Sequence, residues 1–156
     1  MDSSKISIDA IDRRILQALQ RDGRMSNADL SKAVGLSESA CLRRTRHLEE
    51  SGIVAGVVLL VDQTRAGRPG NIFVEITTDA QEDHALAEFE AAVTALPEVM
   101  ECYLMSGEYD YLVRVIAADF ADYEQVHGSL TRLPHVARIR SSFTLRTVTK
   151  KTAIPL

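Results

Sequence analysis

At Gly52 the hydrophobic pattern of this chain changes period, and no other feature limits its fold as strongly. Up to that point apolar residues recur every three or four positions, the spacing of helices that bury one stripe. Beyond it, short runs alternate at every second position and are separated by two further helical stretches. A small helical unit joined to an α+β unit satisfies both patterns.

In the first unit Ile11, Ile15, Leu16 and Leu19 share a stripe, with Asp9 placed as an N-cap and Asp22-Gly23 as the stop. Ser26 and Asp29 form a capping-box pattern ahead of Leu30, Ala33 and Val34, and Gly35 ends this short second helix. A left-handed backbone at Gly35 would turn the chain tightly, drop Leu36 into the core and let Ser37 cap a third helix running to about Ser51. On that helix Cys41, Thr45 and Leu48 fall on one side, with Ser39, Arg43, Arg46 and Glu50 nearly opposite. Two helices joined by a glycine turn, the second polar at its start and rich in Arg further on, form a helix-turn-helix pattern. A winged-helix-like domain is therefore expected over residues 1–52. The basic run Arg43, Arg44, Arg46 and His47, taken alone, better suits the solvated face of a bundle helix. The ordered caps, the Gly35 turn and the short helices reverse that preference.

Residues 53–61, rich in Val and Leu, read as a connecting strand, and the polar stretch to Gly70 reads as a linker. The third region, residues 71–156, has a clear order of elements. A strand over 72–77 precedes a helix over 84–96 with Leu86, Phe89, Val93 and Leu96 on one face. Strands over 99–105 and 111–116 flank Gly107; Phe120, Tyr123, Val126, Leu130 and Leu133 mark another helix; a strand over 138–148 closes the chain. The order β-α-β-β-α-β is that of a ferredoxin-like sandwich. Leu96-Pro97-Glu98-Val99 and Leu133-Pro134-His135-Val136 echo one another at the two helix-to-strand joints. Helices on one face leave the other open, and Tyr103, Tyr111, Val113, Phe143 and Leu145 would make it partly apolar, so a dimer through this domain is expected.

Taken whole, 22 acidic against 18 basic side chains argue against a nucleic-acid partner. Divided at Gly52 the balance changes meaning: residues 1–52 hold 9 Lys or Arg against 8 Asp or Glu, and residues 53–156 hold 9 against 14. A nearly neutral DNA-binding unit needs several linked copies for affinity. No run reaches the roughly 18 apolar residues of a membrane helix, and the amino terminus lacks a secretion-signal layout, so a cytoplasmic protein is expected. Cys41 and Cys102 lie in apolar patterns and read as structural thiols. His47, His84, His127 and His135 include no metal-binding pair, and no nucleophile elbow, P-loop or dinucleotide fingerprint occurs, so no metal, cofactor or enzymatic activity is expected. One polar cluster stands between two apolar strands: Ser106-Gly107-Glu108-Tyr109-Asp110. Its amides could take the carboxylate of a small zwitterion and Asp110 its ammonium, although local sequence alone favours a plain hairpin loop.

Several stretches together carry a family resemblance: Asp9-Ala10-Ile11-Asp12-Arg13-Arg14-Ile15-Leu16, Asp22-Gly23-Arg24-Met25-Ser26-Asn27, Val34-Gly35-Leu36-Ser37, Cys41-Leu42-Arg43-Arg44, Ser51-Gly52-Ile53, Phe73-Val74-Glu75-Ile76 and Ser106-Gly107-Glu108-Tyr109-Asp110-Tyr111-Leu112. Over nearly its whole length the chain resembles the Lrp/AsnC, or feast/famine, transcriptional regulators. It departs at Gly56-Val57, where the family often carries an aromatic after the glycine. The resemblance implies a promoter-binding helix-turn-helix and a ferredoxin-like domain that assembles dimers further, commonly to octamers, and takes an amino-acid effector between such domains. By position it implies Ser106, Gly107, Tyr109 and Asp110 as effector residues, with Met105 and Glu108 beside them and Ser141 and Thr144 on the last strand. For double-stranded DNA, Glu38, Ser39 and Arg43 are expected nearest base edges, with Ser37 at the helix start and Arg24, Lys32, Arg44 and Arg46 on phosphates. Two alternatives stand beside this reading: an architectural DNA-binding protein without a ligand, and an amino-acid-binding regulatory module.

Overall fold

A computed structural model of the chain describes residues 7–156, in two compact units. The first comprises the described residues up to Leu60 together with Thr149–Leu156, the second Val61–Val148. The last eight residues thus pack with the helical unit, whereas the sequence pattern assigned them to the α+β domain.

Three helices build the first unit: α1 (Ala10–Arg21), α2 (Asn27–Val34) and α3 (Glu38–Glu50). Each start is fixed by a local side chain. Asp9 accepts the amides of Ile11 and Asp12 at 2.8 Å, and Asp12 returns a bond to the Asp9 amide at 3.1 Å, a reciprocal capping box. Ser26 accepts the Asp29 amide at 3.1 Å and Ser37 that of Ala40 at 3.3 Å. Gly35 takes φ 71°, the left-handed conformation expected of it, and the Leu36 amide returns to the Ser31 carbonyl. Ile15, Leu16, Leu30, Val34, Cys41 and Leu48 form the core.

Residues 53–61 form no strand. They leave α3 unpaired, with Val57 to Val61 each 67–78% exposed. A strand requires a neighbour for its amides and carbonyls, and the described residues offer that segment none.

The second unit contains β1 (Gly70–Thr78), α4 (Asp83–Thr94), β2 (Val99–Leu104), β3 (Tyr111–Ala117), α5 (Phe120–Thr131) and β4 (Val136–Phe143). The sheet runs β2-β3-β1-β4, antiparallel throughout. Gly70 opens β1 because a Cβ there would stand 2.7 Å from the Ala117 carbonyl oxygen. Ile72, Val74 and Ile76 of β1 and Tyr111, Val113 and Val115 of β3 are buried with Phe89 and Val93 of α4 and Tyr123, Val126 and Leu130 of α5.

This register corrects the expected open face. Tyr111 and Val113 belong to the core, and Phe143 meets the rings of Tyr123 at 4.9 Å and Phe120 at 6.1 Å. Leu145 lies beyond the end of β4, fully exposed. Of the five residues named, Tyr103 alone lies opposite the core positions, where it pairs with Leu112. The face is instead laced with charge: Arg114 bonds Glu101 at 2.8 Å and Asn71 at 3.2 Å, and Arg140 pairs with Glu75 at 3.1 Å. Alternation separates a strand into two faces, but which face meets the helices is decided by register.

Candidate nucleic-acid interface and effector site

The three caps orient α3 so that its apolar side enters the core and Ser39, Arg43 and Arg46 point outward. With Leu42, Arg44, His47 and Glu50 they border an open hollow of about 620 Å³. Arg43 and Arg46 are exposed and form no ion pair among the described residues. Arg24 and Lys32 are exposed on the preceding elements, and the Asn27 side chain donates to the Glu38 carbonyl at 3.0 Å, joining the starts of α2 and α3.

Arg44 behaves differently. Its Nη1 donates to Asp9 Oδ2 and Asp12 Oδ1, both at 2.7 Å, so its guanidinium locks α3 to the capping box of α1. The Asp12 amide, and after it the Arg44 guanidinium, hold the Asp9 carboxyl below its ordinary range, while Asp12 and then Asp9 raise the Arg44 pKa. Ser37 likewise serves its own helix as cap. Sequence reasoning placed His47 on the basic face but left it out of the candidate contacts; its spacing four residues after Arg43 was the available signal.

In the second unit, residues 105–110 form the predicted loop, closed by a bond from the Met105 amide to the Asp110 carbonyl at 2.8 Å. Asp110 anchors it. Its Oδ2 accepts the Thr78 amide at 2.7 Å and the Thr78 hydroxyl at 2.9 Å, its Oδ1 accepts Gln81 Nε2 at 3.0 Å, and its amide donates to the Ile76 carbonyl at 3.0 Å. That carboxylate therefore holds the loop against the end of β1. Met105, Ser106, Gly107 and Glu108 are exposed.

Glu108 and Tyr109 line a cavity of about 310 Å³ together with Glu75, Thr77, Arg138, Ile139 and Arg140. Arg140 is paired with Glu75, whereas Arg138 and Glu108 have no partner among the described residues. Ser141 and Thr144 are not brought to this cavity within one chain. The Ser141 hydroxyl meets the Tyr123 hydroxyl on the helical side, and the Thr144 amide bonds the Asn71 carbonyl at the opposite end of β1, about 20 Å along the strand at its usual rise. Glu75, Thr77, Arg138 and Arg140 went unnoticed in the sequence, although their two-residue spacing on β1 and β4 was legible there.

No group of three or more His, Cys, Asp or Glu able to hold a metal occurs among the described residues. Burial pushes the Cys102 thiol up to about 11, which disfavours the reactive thiolate. Among the same residues no helix is long and apolar enough to cross a membrane.

Residues 8–49 match the AsnC-type helix-turn-helix domain and residues 71–154 the Lrp/AsnC ligand binding domain. The chain belongs to the Lrp/AsnC family of transcriptional regulators. A leucine-responsive regulatory protein of Haemophilus influenzae is 43% identical over 86% of this chain and 82% of its own length. The Bkd operon transcriptional regulator of Pseudomonas aeruginosa is 40% identical over 96% and 98%. Among solved structures, an AsnC family regulator from Agrobacterium tumefaciens superposes with a TM-score of 0.92 at 35% identity, covering 95% of this chain and 97% of that one. A transcriptional regulator from Neisseria meningitidis, in complex with L-Met, gives 0.91 at 34% identity, covering 96% and 97%. Within this Lrp/AsnC regulator the helical unit is thus the DNA-binding domain and the sandwich the ligand-binding domain.

Proposed function

We propose that this regulator reads duplex DNA with the outer face of α3, and that a small amino acid held beside the 105–110 loop modulates that binding in the cytoplasm. The cavity carries the second half of the reading: a cation, Arg138, and a carboxylate, Glu108, both unpaired among the described residues, border one space of about 310 Å³. A zwitterion supplies the complementary pair, its carboxylate to Arg138 and its ammonium to Glu108, with the loop amides near Ser106 and Gly107 as further donors. Asp110 keeps the loop in place for this, and the solved relative from Neisseria meningitidis binds L-Met.

On the DNA side, Glu38, Ser39 and Arg43 meet base edges, while Arg24, Lys32 and Arg46 meet phosphates; Ser37 and Arg44 position the helix. Arg43→Ala then alters sequence preference, by about 1–3 kcal/mol at one base pair, whereas Arg46→Ala weakens every sequence alike and lowers the salt slope by about one. Dimers, and higher assemblies up to an octamer, supply the several copies a nearly neutral DNA-binding unit needs.

The deciding experiment is a thermal-shift series against the twenty L-amino acids. A true effector at 100 times its Kd stabilises the parent by about 2.7 kcal/mol, and Arg138→Gln abolishes the shift. If no amino acid stabilises the parent while DNA binding persists, the architectural reading replaces this one.

A further inference from the structure

The sheet ends at Phe143, yet the chain continues, and Thr149–Leu156 packs with the DNA-binding unit. The contact has specific bonding. Gln20 of α1 engages one residue twice: its Nε2 donates to the Ile154 carbonyl at 3.2 Å and its Oε1 accepts the Ile154 amide at 2.7 Å. One turn earlier, Gln17 Nε2 donates to the Leu156 carbonyl at 3.2 Å. Residues three apart on a helix share a flank, so the two glutamines present a row of amides to an extended backbone, much as an edge strand would. Leu156 adds an apolar anchor, half-buried against the core that contains Ile15 and Leu16.

The same helix holds the recognition helix through the Asp9 and Asp12 bonds to Arg44. At its other end the tail is continuous with β4, whose Arg138, Ile139 and Arg140 line the proposed effector cavity. The seat is built for release as well as for binding. Residues 149–155 are exposed and lack regular structure, and among the described residues two side-chain amides and one leucine hold the segment.

We infer that Thr149–Leu156 is a detachable strap on α1, a second covalent route beside the 53–69 linker by which the sensing domain acts on the DNA-binding domain. Seated and released tails are the two states, and effector contacts on β4 bias them because strand and strap are one run of chain. The inference rests on the effector reading of the cavity.

The test uses the full chain, a Gln17→Ala/Gln20→Ala variant, a chain lacking residues 152–156, and Arg14→Ala as a control at an exposed position of α1 turned away from the Gln20 flank. Each is titrated with a duplex that the parent selects from a random pool, with and without L-methionine or L-leucine, and amino-acid binding is measured separately by calorimetry. In the parent and the control the amino acid changes the DNA Kd by about fivefold or more; in both strap variants the change falls to within about twofold of none, with amino-acid binding retained. Hydrogen exchange should show α1 amides opening faster in the strap variants. Strap variants that keep the parent's response, or α1 amides that exchange as in the parent, overturn the strap alone. A parent that binds none of the twenty amino acids overturns the effector reading first and the strap's coupling role with it.

Discussion

Two apolar stretches of similar strand propensity meet opposite fates in this chain. Ile72 to Ile76 lies in β1, flanked by β3 and β4, with Val74 and Ile76 wholly inaccessible. Val57 to Val61 is the more continuously apolar of the two, yet among the described residues it has no ladder partner and is 67–78% exposed. Continuous apolar runs suit strands covered on both faces, alternating ones strands covered on a single face. Hydrophobicity therefore states how much of a segment must be buried, and the supply of neighbours decides whether it becomes a strand.

The sharpest break in this comparison is a charge placed in each stretch. Val74→Asp should cost about 4 kcal/mol or more in urea denaturation, since the core around it holds no cation to pair the carboxylate. Leu59→Asp, at an exposed position, should change the same measurement by no more than about 0.5 kcal/mol, and a cost close to that of Val74→Asp would show that the run is buried in solution. Next in size is the entry to β1: Gly70→Ala forces a Cβ against the Ala117 carbonyl and should cost about 1–3 kcal/mol, read from the denaturation midpoint. In the helical unit, where local signals rather than neighbours fix the elements, Ser26→Ala should remove about 1 kcal/mol by loss of the α2 cap.

The smallest effect separates the two matching helix-to-strand joints. In the second of them His135 takes φ 62°, its carbonyl accepts the Asp79 amide at 2.9 Å, and its ring stands 3.1 Å from Glu88 and 3.4 Å from Asp79. Glu88 first, and then Asp79, raise its pKa above the ordinary 6.5. A raised histidine stabilises the fold fully below pH 6.5 and loses that contribution as pH climbs through the folded-state value. Stability of the parent should thus decline across that window, and His135→Gln should flatten the decline; an unchanged slope in the variant would remove His135 from the account.

Legibility followed the range of the interaction. Asp9, Ser26, Gly35 and Ser37 act on neighbours within a few positions, and each sits where the sequence pattern put it. The 105–110 loop was legible for the same reason, as a glycine turn between two apolar strands. Its surroundings were not. Arg138 and Glu75 reach it only through the β1–β4 register, Asp110 is engaged by Thr78 from 32 positions away, and Arg44 reads as a basic contact until α1 is placed beside it.

By itself the sequence determined the helix starts in the first unit and the β-α-β-β-α-β order of the second, because caps, turns and periodicity are short-range properties of a backbone with few allowed conformations. Tertiary structure alone decided which sheet face meets the helices, which charges remain unpaired at the cavity, and that the last eight residues return to α1. Each of these depends on segments far apart in the chain competing for the same partners, and that competition is settled only when the whole chain has packed.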